Sequence, residues 1–416
     1  MFYIYQTIVS FLVLFSPLII IYRIFKKKED QKRFIEKFSI PTRSRDKGDL
    51  VWFHGASVGE ILSVLPIIKI YEKKKYIDQI LITTSTLSSS NVIKKIKLKK
   101  TVHQFYPIDH FYFTNKFLDY WKPNVAIFIE SEIWPCMFRG IKFKNIPLIL
   151  LNARLTKKTF NNWIKIKNFS NSIFNKITVA YPQNTETIKF LKKLSDIKIK
   201  KIGNLKFSEI EENSYSKIDV NSKFELNKKK IWVASSTHKS EEIFCVKTHM
   251  ILKDKVKNLM TIIIPRHVHR VKEIVNEIKN YNLEVALHST KPKNLKNVDI
   301  YIVDTFGETK KFHKIACSVF LGGSLIKRGG QNPLEAARCG AKIFHGKNID
   351  NFKDVYKLLK SLKVSKVISS PNQLASLIKF KRKDYAGTKI KIIGEKILKK
   401  TIKELENFIK NDFKKT

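Results

Sequence analysis

Two α/β domains, each a doubly wound parallel sheet, are predicted behind an N-terminal membrane-anchor helix, and three observations predict them. The chain has 416 residues, about twice the usual domain length. Short, continuous apolar runs alternate with longer polar stretches, the pattern of parallel strands buried on both faces and separated by helices. A polar stretch divides those runs into two sets.

The anchor comes first. Met1 to Tyr22 carry no charged side chain, and Arg23, Lys26, Lys27 and Lys28 then follow together. At about 1.5 Å per residue, some 20 apolar residues span a bilayer core of roughly 30 Å. The basic cluster on the C-terminal side predicts a single anchor over residues 1–24, with the body of the protein on the cytoplasmic side. A secretory signal would carry its charges before the apolar run and small residues after it, and neither is present. Pro17 leaves a shallow interfacial helix as the alternative.

A first domain, residues 25–210, contains the runs 50–53, 80–84, 125–129, 147–151 and 177–180. A second, residues 211–416, contains 231–234, 260–264, 298–303, 318–321 and 342–344. The Asn-, Ser-, Glu- and Lys-rich stretch 208–230 reads as a linker, and the Lys-rich C-terminus as a solvated amphipathic helix. Ligands of doubly wound sheets sit at the carboxyl ends of strands, so those ends are where the chemistry is expected.

Charge narrows the partner. Lys and Arg total 80 against 36 Asp and Glu, a net +44, which favours nucleic acid, an anionic membrane surface or a phosphorylated substrate. Much of the excess is scattered Lys, such as residues 73–75 and 228–230, which sets solubility and encounter rate. A cationic nucleic-acid-binding protein is the alternative from another class, but no RNA- or DNA-recognition motif supports it. Cys136, Cys245, Cys317 and Cys339 form no C-x-x-C pair, which fits free thiols in a reducing compartment and gives no zinc spacing.

In the first domain, His54-Gly55-Ala56-Ser57-Val58-Gly59-Glu60 follows a strand. Its G-x-S-x-G matches a serine-hydrolase nucleophile elbow. The other reading makes the glycines a tight turn and Glu60 a general base, or a first-turn Glu offsetting the helix dipole. Glu130-Ser131-Glu132 follows an apolar strand; carboxylates at i and i+2 in extended chain face opposite ways, so the two have different tasks. Asn152-Ala153-Arg154 offers an Arg suited to anions. Gly203-Asn204-Leu205-Lys206-Phe207 brings a Lys to the expected entrance of an interdomain cleft.

In the second domain, Ser235-Ser236-Thr237-His238 with Glu241-Glu242 reads as strand, hydroxyl-rich turn and acidic first helical turn. Arg266, His267 and His269 follow another strand; H-x-H is a weak metal signal, and an Arg-His pair gripping a nucleotide is the competing reading. Asp304-Thr305-Phe306-Gly307-Glu308 ends a further strand. The strongest element is Gly322-Gly323-Ser324 followed by Arg328-Gly329-Gly330-Gln331-Asn332-Pro333-Leu334-Glu335. Glycines let backbone approach a phosphate, Pro333 stands at the expected first helical position, and Glu335 is placed to accept from ribose hydroxyls. The element is neither G-x-G-x-x-G nor a P-loop.

Taken in order, the segments HGASVGE, ESEIWP, NARL, GNLKF, SSTHKSEE, PRH, DTFGE and GGSLIKRGGQNPLEAA resemble those of the 3-deoxy-D-manno-octulosonic acid (Kdo) transferases. The resemblance runs from the anchor to about Phe352. It implies the GT-B fold, two Rossmann-like domains facing an interdomain cleft, and an inverting transfer of Kdo from CMP-Kdo to lipid IVA or a related lipid A precursor. It further implies Glu60 as general base, with Glu130 and Lys206 stabilising the transition state. Arg266, His267, Phe306, Gly307, Glu308, Asn332, Pro333, Leu334 and Glu335 would hold CMP, with no metal and no cofactor. Two positions depart from the family pattern: Gln331 stands where His is usual, and Phe306 where Met is usual. A GT-B transferase using another nucleotide sugar is the nearest alternative.

Overall fold

In a computed structural model of the chain, residues 1–96, 98–208, 226, 228–292, 294–381 and 385–412 are described. The chain forms two compact units, Met1–Ile210 with Gly394–Thr416, and Glu211–Ile393. The stretch expected to be a linker lies for the most part outside the described residues.

The first unit is built on seven parallel strands: β1 (Leu50–His54), β2 (Gln79–Thr84), β3 (Thr101–Phe105), β4 (Val125–Ile129), β5 (Leu148–Ala153), β6 (Val179–Pro182) and β7 (Lys198–Ile199). Their order is β3-β2-β1-β4-β5-β6-β7. Side chains alternate between the two sheet faces. Leu50, Trp52, Ala126 and Phe128 therefore join one core cluster, while Val51, Phe53, Ile127 and Ile129 join another. Helices start where hydroxyl or amide side chains cap them, as at Ser57, Thr86, Thr156 and Asn184.

The second unit repeats the plan with β8 (Lys230–Thr237), β9 (Leu259–Pro265), β10 (Val285–Leu287), β11 (Ile300–Ile302), β12 (Ser318–Leu321), β13 (Lys342–His345) and β14 (Ser365–Val367). The order is β10-β11-β9-β8-β12-β13-β14, again all parallel. Each sheet reverses its winding beside its first strand, between β1 and β4 in one and between β8 and β12 in the other. Such a switch point opens a crevice at the carboxyl ends of the strands.

One expectation changes. The last helix, Tyr385–Asp412, is not a solvated appendage of the second domain, because its residues from Gly394 onward belong to the first unit. Leu405 and Ile409 are fully buried in that unit's core, and Lys200 and Tyr181 hold Glu404 at 2.5 and 3.3 Å. Gly394 is required where the helix crosses Phe207: a Cβ there would lie 2.2 Å from the Phe207 carbonyl oxygen. The N-terminal helix, Phe2–Phe25, is long and apolar enough to cross a membrane by length and composition.

Candidate active site

In the first unit, the sequence-selected residues meet at the β1/β4 switch point. Ser57 caps the helix Val58–Tyr71 and Glu60 is its third residue, completing a reciprocal capping box. Glu60 Oε2 accepts the Ala56 N–H at 2.7 Å and the Ser57 N–H at 3.4 Å; Oε1 accepts the Ser57 hydroxyl at 2.8 Å. A Cβ at Gly55 would press on Glu60 and Ile61 at 3.1 Å, so those side chains would have to shift to admit one. Ser57 itself is in ordinary extended backbone, φ −110° and ψ 160°, with its hydroxyl committed to Glu60. That is a helix cap, without the strained turn and histidine partner a nucleophile elbow needs.

Burial and the negative charge of Glu132, with a smaller contribution from Glu130, push the Glu60 carboxyl up to about 7, against a lowering by the Ser57 hydroxyl. Such a group holds and releases a proton near neutrality, as a general base requires.

Glu130 and Glu132 do have different partners, though not because the chain is extended. Glu130 is in the left-handed region, φ +57°, which turns its carboxylate onto the Lys206 ammonium at 2.6 Å. Both side chains are largely buried. Lys206 arrives there because Asn152, also left-handed at φ +52°, accepts the Leu205 N–H on its side-chain oxygen at 3.0 Å. Arg154 is tied to the same turn, its N–H donating to the Glu130 carbonyl.

Glu132 instead accepts the Trp134 indole N–H at 2.9 Å and faces His54 Nε2 at 3.2 Å. Burial holds His54 below the ordinary imidazole range, so it is neutral near pH 7. Trp52 donates to the Thr83 hydroxyl, which lies 2.9 Å from His54 Nδ1. His54 Nδ1 also lies 3.3 Å from the Thr83 carbonyl, so Thr83 fixes the ring with Nε2 facing Glu132. The sequence names His54 and Asn152 within motifs but assigns no individual role to them or to Thr83, and no specific partner to Glu132. An Asn at the end of a buried strand was the one available signal.

In the second unit the carboxyl ends of β11, β9, β8 and β12 are neighbours, so the turns that follow them line one edge. Arg266 and His267 are exposed there, beside His238 and His269, whose rings lie 5.8 and 5.5 Å from that of His267. Phe306 is 82% exposed, Gly307 is left-handed at φ +85°, and Glu308 pairs with Lys311 at 2.5 Å. No group of three or more His, Cys, Asp or Glu among the described residues is arranged to hold a metal ion.

The glycine-rich element differs from its sequence reading. The N–H groups of Gly323, Ser324 and Leu325 do not stand open to a phosphate; all three donate to the Glu241 carboxylate, at 2.7, 3.1 and 3.0 Å. Glu241 is fully buried and also accepts the His238 N–H at 3.0 Å. The apparent acidic helix turn is thus a clamp between the β8 and β12 turns. Gly322 is required by this closeness, since a Cβ would lie 2.3 Å from the Ser236 carbonyl.

The following helix is only Leu334–Arg338, with Pro333 as its cap rather than its first residue. The Asn332 side chain accepts the Leu334 N–H at 3.1 Å, and the Leu334 side chain is fully buried. The side chains of Pro333 and Leu334 are buried beneath this turn. Glu335 and Gln331 remain half-buried at its rim, and Tyr356 holds the Gln331 carbonyl at 3.0 Å.

A family model described as 3-deoxy-D-manno-octulosonic-acid transferase (kdotransferase) matches residues 32–209. The 3-deoxy-D-manno-octulosonic acid transferase of Rickettsia bellii is 31% identical over 410 residues, covering 96% of this chain and 98% of that protein. A probable mitochondrial 3-deoxy-D-manno-octulosonic acid transferase of Arabidopsis thaliana is 32% identical over 362 residues, 83% of this chain and 80% of the relative. Among solved structures, the UDP-N-acetylglucosamine 2-epimerase from Rickettsia bellii superposes with a TM-score of 0.52 at 13% identity, covering 88% of this chain and 98% of that one. At that identity the likeness concerns the doubly wound, GT-B-like fold alone.

Proposed function

The chain belongs to the 3-deoxy-D-manno-octulosonic acid (Kdo) transferase family, and we propose that it transfers Kdo from CMP-Kdo to lipid IVA, or a closely related lipid A precursor, on the cytoplasmic face of the inner membrane. The observation that carries the reading is Glu60: a carboxyl pushed up to about 7 at a switch point, beside Glu132 and the Glu130–Lys206 pair.

In the proposed step, an acceptor hydroxyl oxygen attacks the anomeric carbon of Kdo opposite the phosphate. The carbon–oxygen bond to CMP breaks, CMP leaves with the bonding pair, and the hydroxyl proton passes to Glu60. Glu60 Oε1 accepts one hydrogen bond from Ser57, which leaves it acceptor capacity for that proton. Lys206, held by Glu130, supplies fixed positive charge to the developing negative charge. Arg266, His267, Phe306, Gly307 and Glu308 hold CMP together with Asn332 and Glu335, and the reaction proceeds without a metal. The leaving group is a phosphate monoester, whose charge fixed cationic side chains can balance.

The test is incubation with CMP-Kdo, generated in situ, and lipid IVA, followed by mass spectrometry of the lipid. The native chain adds Kdo, and Glu60→Gln does not. Gln is itself acceptable at this capping-box position, so the variant keeps its melting temperature and its CMP binding while losing about 10²-fold or more in turnover. Unchanged turnover would remove Glu60 from the mechanism; transfer from a different nucleotide sugar in place of CMP-Kdo would overturn the donor.

A further inference from the structure

The apolar helix Phe2–Phe25 is tied to the first unit along its length. Phe2, Tyr5, Val9, Val13, Ser16 and Ile20 are buried or half-buried, a spacing of three and four that makes one stripe along the helix. At its start, the Tyr5 hydroxyl donates to Asp109 at 2.7 Å, Ser10 meets His110 at 3.1 Å, and the Arg139 guanidinium lies 4.5 Å from the Phe2 ring. Asp109 is itself buried and fixed, accepting the Cys136 and Met137 N–H groups at 3.0 and 2.8 Å.

At its other end, Arg23 pairs with Glu29, which also takes Lys37 at 2.6 Å. The chain returns to the sheet at once: Arg33 donates to the His103 carbonyl, and Ile108 donates to the Lys37 carbonyl. A helix of 24 residues is about 36 Å long, more than the roughly 30 Å of a hydrocarbon core. One that crossed the bilayer would carry its far end away from a polar domain left on one side, yet both ends here touch the same unit.

The rest of the helix surface is large and apolar, with Ile4, Phe11, Leu14, Leu18 and Phe25 all exposed. Phe111 and Tyr112, next to His110, are exposed beside it. Arg23, Lys26, Lys27 and Lys28 border this face with the charge that anionic headgroups attract.

We propose that Phe2–Phe25 lies in the plane of one leaflet of an anionic bilayer, joined by Phe111 and Tyr112, and seats the first unit on the membrane surface without crossing it. This rests on the membrane-borne acceptor proposed above. An in-plane helix of this kind sinks its apolar face about 5–10 Å into the headgroup and acyl boundary.

The test places a fluorescent amino acid by codon suppression at Ile4, Phe11 or Leu18 of the full chain. The chain is bound to vesicles of phosphatidylethanolamine and phosphatidylglycerol carrying lipids brominated near the headgroup or near the chain end. The in-plane arrangement gives equal quenching at the three sites, several-fold stronger from the shallow bromines. Preferential quenching of the Phe11 probe by the deep bromines, with Ile4 and Leu18 shallow, overturns it. So does absence of quenching at every site together with cross-linking of the helix to a second copy of the chain. The readout is depth, so it stands or falls separately from the reaction, which lipid IVA dispersed in detergent tests without a bilayer.

Discussion

Glu60 has two jobs in one side chain, closing a helix cap and holding a titratable proton. Its raised affinity for that proton comes first from burial and next from Glu132, so turnover should fall as pH drops through about 7, by about tenfold per unit below it. Glu132→Gln removes the larger neighbouring negative charge. Glu60 then ionises more readily, and the acid limb of kcat/KM moves to lower pH. A pH–rate profile of the variant reads this directly; a limb that stays near 7 or moves upward means Glu132 does not set the Glu60 proton affinity. Burial displaces His54 below the ordinary imidazole range, away from the limb near 7.

At the scale of elements, the two switch points are built differently. In the first unit, left-handed Glu130 and Asn152 turn their strand ends so that a Lys from a distant segment meets a carboxylate. In the second, Glu241 occupies the backbone donors of the glycine turn. Glu241→Gln puts an amide NH₂ against one pair of those donors and leaves them unsatisfied, at about 1–3 kcal/mol each. The expected result is a lower melting temperature and weaker CMP binding by calorimetry, with the first unit's Glu60 chemistry intact in single turnover at saturating donor. Gly394→Ala tests the docking of the last helix. Its new Cβ collides with the Phe207 carbonyl, one residue from Lys206, and the variant should lose about 1–3 kcal/mol in urea denaturation.

For the molecule as a whole, net charge and the apolar helix act together. A net charge of +44 with a basic border to an apolar face predicts binding to phosphatidylglycerol vesicles that weakens steeply as salt rises from about 0.05 to 0.5 M, while an apolar component persists. Vesicle sedimentation across that range checks it; binding indifferent to salt would assign the charge to solubility alone.

The ten interior strands were legible because a parallel strand buried on both faces needs an unbroken apolar run. Among the described residues, the four strands outside the sequence-read runs are β3, β7, β10 and β14, and each is a sheet edge. With a neighbour on one side only, β7, β10 and β14 are mostly exposed or half-buried and their sequences need no such run. By itself the sequence determined two doubly wound units, the apolar leader and the strand ends that bear Glu60, Glu130 and the glycine turn. Tertiary structure alone decided what those side chains hold: Lys206 on Glu130, Glu241 in the glycine turn, and Leu405 in the core of the first unit. Periodicity reports which face of an element is buried, whereas partners separated by tens to hundreds of residues are chosen by strand order, left-handed turns and the space left beside a glycine.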